Sequence, residues 1–240
     1  YYKPKHQKKS YMKIISIIPA RGGSKGIPKK NTVDFHGKPL IAWTLEQALK
    51  SKLIQKVYVT SDSSEILSIA ERIGANIISR PKELSNDKAS SESAILHAIK
   101  TINDKPDLIV FLQVTSPLRK KNDIDNAIRK LLDENADSLL SLCSSKEFIW
   151  EKSGQNFVPI TYDMENRCDH RKLKNLYYEN GSIYVFKPEI LEINKNRLGG
   201  KISVYLMDSW QRADIDDQDS LDYCLLQFKK YKSIICDEKT

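Results

Sequence analysis

Through the first half of the chain, short apolar runs alternate with stretches whose apolar positions recur every three to four residues. The runs KIISIIP (13–19), KVYVTS (56–61), ANIIS (75–79) and DLIVFLQ (107–113) are rich in β-branched residues and read as strands. Between them, Leu40, Trp43, Leu45 and Leu49 recur at near-helical spacing, and so do Ile66, Ile69, Ala70 and Ile73. Asp62, with Glu65 three residues on, is expected to cap the second of these helices. A third helix is expected from Ser90 through Ala94, Leu96, His97 and Ile99, with His97 structural because no partner is spaced to make it a ligand. Strand and helix in alternation predict an α/β fold: a doubly wound, mostly parallel sheet, Rossmann-like, with helices on both faces.

After SLLSL (138–142) the periodicity weakens, and residues 143–176 are polar and charged, which reads as an insertion. Regular patterning returns with NGSIYVFKPEIL (180–191), whose strand is expected to end near Pro188. KISVYLMD (201–208) reads as a further strand, and a last helix should follow ADIDDQD (213–219). No internal repeat or low-complexity segment is present.

Composition narrows the function. The chain has 240 residues, enough for one large domain with a core of its own. No apolar run approaches the roughly 20 residues that span a bilayer, so no membrane partner is expected. The net charge of +8 raises the question of nucleic acid, but five lysines and no acid fall in residues 1–13. The remainder is only mildly basic, and nucleic acid is not expected as a partner. Residues 1–12 read as a flexible basic tail without the apolar centre of a secretory signal, preceding a single domain at 13–240. Cys143, Cys168, Cys224 and Cys236 form no CxxC pair, which fits thiols of a reducing cytoplasm rather than a metal site.

The candidate chemistry starts at IIPARGGSKGIPKKN (17–31), where the first strand breaks into a loop with Gly22, Gly23 and Gly26 among Arg21, Lys25, Lys29 and Lys30. Glycines let backbone N–H groups approach phosphate, and ligands of open α/β sheets bind at the carboxyl ends of strands. The spacing fits neither GxxxxGK[ST] nor GxGxxG. Several cations around one loop suit a polyphosphate better than a single carboxylate; a solvated basic turn is the alternative on composition alone. Asp214 and Asp216, one residue apart in RADIDD, would fall on the same side of an extended segment, as paired oxygen ligands for Mg²⁺ with open positions or as an acidic helix start with Asp217 and Asp219.

These residues carry a family resemblance. PARGGSKGIPKKN (19–31), RPKELSNDKASSESAILHAI (80–99), FLQVTSPLR (111–119), YYENGSIYVF (177–186) and DSWQRADIDDQDSLD (208–222) resemble, in order, five motifs of the CMP-sugar synthetases that activate N-acylneuraminate and related nonulosonic acids with CTP. The resemblance implies a nucleotide-diphospho-sugar transferase-like fold with a dimerisation insertion at 143–176, and attack of a sugar-acid hydroxyl on the α-phosphorus of CTP with release of pyrophosphate. It implies that Arg21, Gly22, Gly23, Lys25 and Lys30 meet the triphosphate, with Arg21 and Lys30 catalytic. It implies that Asn31, Arg80 and Ser91 hold the cytosine and ribose, and that Asp214 and Asp216 are catalytic ligands of Mg²⁺ or Mn²⁺. For Ser91 a helix cap is the alternative.

Gln113, Tyr178 and Asn180 resemble positions of the sugar-acid pocket, with a structural hydrogen bond as the alternative for Gln113. Lys146 with Arg167 or Arg171 would reach the sugar carboxylate across a homodimer interface. The chain departs from the family here, reading NRCDHRKLK (166–174) where NRPRRQDLP is usual. Alignment on NR favours Arg167, while the usual RRQ falls on Asp169, His170 and Arg171. The implied activity is N-acylneuraminate cytidylyltransferase, with legionaminate, pseudaminate and Kdo as rival acids. A catalytically silent nucleotide-binding protein is the rival of another class.

Overall fold

The computed structural model describes residues 12–86, 89–103, 105–165, 167, 169 and 176–236. The first run forms β1 (Ile14–Pro19) and continues through two short strands, β2 (Asp34–Phe35) and β3 (Lys38–Pro39), into α1 (Leu40–Leu49). Then follow β4 (Lys56–Ser61), α2 (Ser64–Ile73), β5 (Asn76–Ser79), α3 (Ser91–Thr101), β6 (Leu108–Leu112), α4 (Asp123–Asp133) and β7 (Ser138–Ser144). A hairpin of β8 (Trp150–Ser153) and β9 (Asn156–Pro159) precedes β10 (Tyr177–Phe186), α5 (Pro188–Asn194), β11 (Ile202–Met207) and α6 (Gln218–Ile235).

Seven strands form one sheet in the order β11-β7-β10-β6-β1-β4-β5. Only β10 runs against its neighbours β6 and β7; the other pairings are parallel. Because side chains alternate across a strand, β1 sends Ile14 and Ile18 into one core, with α1, α2, α4 and α6. It sends Ile15 and Ile17 into the other, with α3 and α5. A strand covered on both faces cannot show polar alternation, which is why this one reads as a continuous apolar run. The chain leaves β1 toward β4 and β5 on one side, and β6 lies on the other. The crevice between the ends of β1 and β6 is therefore the switch point of the sheet.

Two sequence expectations change. Asp62 does not cap α2; Ser63 does, accepting from the Ile66 N–H, because its extended backbone aims the hydroxyl down the helix axis. The described residues of 143–160 carry more regular structure than their weak periodicity suggests: β7 runs to Ser144, and β8 pairs with β9. That hairpin shows little alternation because both its faces are exposed.

Candidate active site

At the switch point lies a cleft of about 370 Å³. Pro19 at the end of β1, Gln113 to Thr115 after β6, Arg80 after β5 and Ser90 and Ser91 at the start of α3 form its walls. The basic loop contributes Arg21, Gly23, Ser24, Lys30 and Asn31, and Asp216 closes the rim. Of the expected triphosphate and base contacts, Arg21, Gly23, Lys30, Asn31, Arg80 and Ser91 are thus brought together.

The loop is held by its own polar contacts. Asn31 Nδ2 donates to the Arg21 carbonyl at 2.9 Å, and the Gly22 N–H donates to Asp62 Oδ1 at 2.9 Å. Asp62, released from capping, therefore anchors the loop to β4. A side chain at Gly22 would stand 2.9 Å from Ser63 Cβ, whereas Gly23 has open space around it. Gly26 has a different need: a Cβ there would lie 1.9 Å from the Asp216 carbonyl oxygen, so the loop packs directly on the DID segment. Gly22 and Lys25 do not line the cleft itself.

Arg80 is buried, and burial lowers its pKa, opposed by Asp62 and reinforced by Arg21. Its Nε has no hydrogen-bond partner among the described residues. A buried donor left unsatisfied at a cleft wall is matched by an acceptor on a ligand. Ser90, not Ser91, caps α3 by accepting from Ser93, which leaves the Ser91 hydroxyl to the cleft.

Asp214 and Asp216 flank the buried Ile215, whose N–H donates to the Thr115 carbonyl at 2.8 Å. Asp217 is the cap of α6, so the helix start does not consume the other two carboxylates. Lys30 Nζ lies 2.9 Å from Asp216 Oδ1, and Gln113 Nε2 lies 3.0 and 2.9 Å from the two oxygens of Asp214. Burial raises the Asp214 pKa, the neighbouring Asp216 adds to this, and hydrogen bonds from Thr115 and Gln113 oppose it. The Asp216 side chain is 77% exposed, so its ion pair is worth under about 1 kcal/mol, and Lys30 is easily drawn to a phosphate instead.

No group of three or more His, Cys, Asp or Glu among the described residues could hold a metal unaided. Two carboxylates beside a phosphate loop fit a hard cation that takes its remaining ligands from phosphate and water.

The expected sugar residues are dispersed. Gln113 lines the cleft. Asn180 does not: it is buried, its Oδ1 accepts from Ser141, and its Nδ2 faces Cys143, Met207 and the Gln211 carbonyl. An amide in an irregularity of β10 is drawn inward to satisfy the displaced backbone. Tyr178 is half-exposed under the Arg212 guanidinium, 4.1 Å from its ring. Lys146 borders a separate cleft of about 730 Å³ with Trp210, Arg212 and Lys230. Arg167 lies over Phe148 and Tyr162 in the insertion, and Arg171 falls outside the described residues.

Arg119 was absent from the expected set. It is fully buried beneath the cleft, and burial pushes its pKa down to about 9, which leaves it charged at neutral pH. A cation closing the apolar run FLQVTSPLR was the available signal.

A basic glycine loop at the switch point of a doubly wound sheet, with Asp216 on the rim, places a candidate ligand site where open α/β sheets bind their ligands. The sequence model of the family described as Cytidylyltransferase matches residues 15–234, and the chain belongs to that family. It is 35% identical over 231 residues to the N-acylneuraminate cytidylyltransferase of Escherichia coli O18:K1:H7, covering 93% of this chain and 54% of that protein. The chain thus spans about half the length of that relative.

It is 31% identical to the pseudaminic acid cytidylyltransferase of Campylobacter jejuni serotype O:23/36, covering 91% of this chain and 97% of that one. Among solved structures, CMP:2-keto-3-deoxy-manno-octonic acid synthetase complexed with CTP superposes with a TM-score of 0.69 at 17% identity, over 91% of this chain and 99% of that one. That likeness shows the fold. Cytidylyltransferases of this kind commonly use a divalent metal.

Proposed function

We propose that the chain couples CTP to a nonulosonic acid of the sialic type, giving a CMP-sugar and pyrophosphate, and that it does so as a homodimer in the cytoplasm, where CTP is made. The observation that carries this reading is the convergence of Arg21, Lys30, Asn31, Arg80 and Ser91 with Asp216 in one cleft at the switch point.

In this reading Arg80, Asn31 and Ser91 hold the cytosine and ribose, while Arg21, Lys25, Lys30 and the backbone around Gly23 hold the triphosphate, with Gly22 tying the loop to Asp62. The sugar hydroxyl attacks the α-phosphorus in line, the bond to the bridging oxygen breaks, and pyrophosphate leaves against Arg21 and Lys30. Such a transfer depends on positioning and on neutralising charge. Asp214 and Asp216 would hold Mg²⁺ or Mn²⁺, which when bound would neutralise phosphate charge and lower the pKa of the attacking hydroxyl. Lys146 and Arg167 or Arg171 act from the partner subunit. This is supported by the place of Lys146 and Arg167 away from their own chain's cleft. The exposed Ile149, Trp150, Phe157, Val158 and Ile160 of the insertion support the dimer.

N-acetylneuraminate is the first candidate acid. Pseudaminate is the second reading, favoured by the relative of that name that this chain matches over nearly its whole length. Incubation with CTP, Mg²⁺ and a panel of N-acetylneuraminate, legionaminate, pseudaminate and Kdo is expected to release pyrophosphate with one or more acids. Folded protein that binds CTP yet releases none with any acid would support the catalytically silent alternative.

A further inference from the structure

The amide nitrogen of Gln113 is committed to the protein. Its Nε2 lies 2.8 Å from Thr115 Oγ1 and 3.0 and 2.9 Å from Asp214 Oδ1 and Oδ2, and the Thr115 hydroxyl bonds Asp214 as well. An amide nitrogen has two hydrogens, so both are consumed by the protein and only Oε1 is left for a ligand. That oxygen sits over Gly181, where a Cβ would stand 3.1 Å from it; Gly181 has φ +68°, so glycine is required there by conformation and by space together.

The backbone beneath is fixed as firmly. Arg119 donates from Nη2 to the Gln113 carbonyl at 2.7 Å and the Ser182 carbonyl at 2.8 Å, and from Nη1 to Thr44 at 3.2 Å and Gln47 at 3.0 Å. One guanidinium therefore ties α1, the end of β6 and β10 into a single support. A fully buried cation is costly, and here hydrogen bonds to four acceptors offset that cost, so the guanidinium holds the Gln113 backbone in one place.

We infer that Gln113 is a clamp that orients the Asp214 carboxylate toward the cleft, and that Arg119 is the positioning residue that fixes the clamp. The inference rests on the reading of Asp214 and Asp216 as cation ligands. A carboxylate whose outer lone pairs are already bonded loses little freedom when it coordinates, and such supporting contacts tune metal affinity. Gln113 then serves the cation site through its nitrogen, whatever its oxygen does for the sugar.

The test is titration of Mn²⁺ by electron paramagnetic resonance at saturating CTP without sugar, corrected for Mn²⁺ bound by CTP alone, alongside the metal-activation constant for pyrophosphate release and the melting temperature. Gln113→Leu is expected to weaken Mn²⁺ binding about 10- to 100-fold. Arg119→Lys, which keeps the charge but loses the fork, is expected to weaken it in the same direction, with kcat falling more than the sugar KM changes. If Gln113→Leu raises only the sugar KM and leaves Mn²⁺ binding as in the wild type, the clamp is overturned while the metal reading stands. If wild type and the Asp214→Asn, Asp216→Asn variant bind Mn²⁺ equally poorly, the metal reading falls and takes the clamp with it. Should Arg119→Lys fail to fold, Gln113→Leu still decides the clamp. A folded Arg119→Lys protein with unchanged Mn²⁺ affinity removes Arg119 from the proposal.

Discussion

Lys30 sits 2.9 Å from Asp216 and lines the same cleft as Arg21, and in the proposed reaction both cations would meet charge that builds on a departing pyrophosphate. Removing one preorganised contact of this kind costs about 3 kcal/mol, about a hundredfold in rate. Arg21→Ala and Lys30→Ala are each expected to lower kcat by about that factor with the fold intact, read from pyrophosphate release and circular dichroism. A loss confined to the KM for CTP would show uniform binding instead. Gly26→Ala tests a different contact, because the new Cβ would meet the Asp216 carbonyl at 1.9 Å. Loop or DID segment must yield, at about 1–3 kcal/mol. The expected outcome is a lower melting temperature together with lower kcat at saturating CTP; a fall in melting temperature alone would mean that the two segments adjust independently.

At the scale of elements, β10 carries an irregularity that lies against the Gln113 amide. Its register shifts between Glu179 and Tyr184, Gly181 supplies the left-handed residue, and Asn180 turns inward to satisfy Ser141 and the Ser182 N–H. Gly181→Ala is expected to cost about 1–2 kcal/mol from backbone conformation alone and to press on Gln113. Two thiols report on the packing of these elements. Burial pushes Cys143 on β7 up to about 11 and Cys224 on α6 up to about 12. Since the thiolate is the reactive form, alkylation of native protein at pH 8 followed by mass mapping is expected to leave both unmodified and to label them after denaturation. Rapid native labelling of either would contradict the packing of its element.

At the scale of the molecule, a single chain leaves Lys146 on one cleft and the nucleotide loop on another. If the partner's insertion completes the sugar site, two inactive proteins should rescue each other. Mixing an Arg21→Ala chain with a Lys146→Ala, Arg167→Ala chain is expected to restore about a quarter of wild-type turnover, because random exchange makes half the dimers mixed and each mixed dimer has one whole site. Sedimentation should give roughly twice the 27.5 kDa of one chain. A monomer that turns over normally would place the sugar contacts elsewhere.

The sequence by itself determined the sheet and its helices, because a strand buried on both faces must be apolar throughout and a packed helix must repeat its apolar positions. It also singled out the basic glycine loop and the Asp214–Asp216 pair as candidates, because local charge and glycine spacing are visible in the chain and five motifs in order resemble one family. Tertiary structure alone decided which polar residues face the cleft. The Ser91 hydroxyl is left to the cleft because Ser90 caps, Asp214 and Asp216 are not consumed by the helix start because Asp217 caps, and Asp62 anchors the loop because Ser63 caps α2. Each choice between neighbouring polar residues turns on backbone direction within a residue or two, which spacing cannot resolve. The roles of Gly26, Arg119 and Asn180 arise from contacts between segments far apart in the chain. Such contacts exist only once the sheet has brought those segments together.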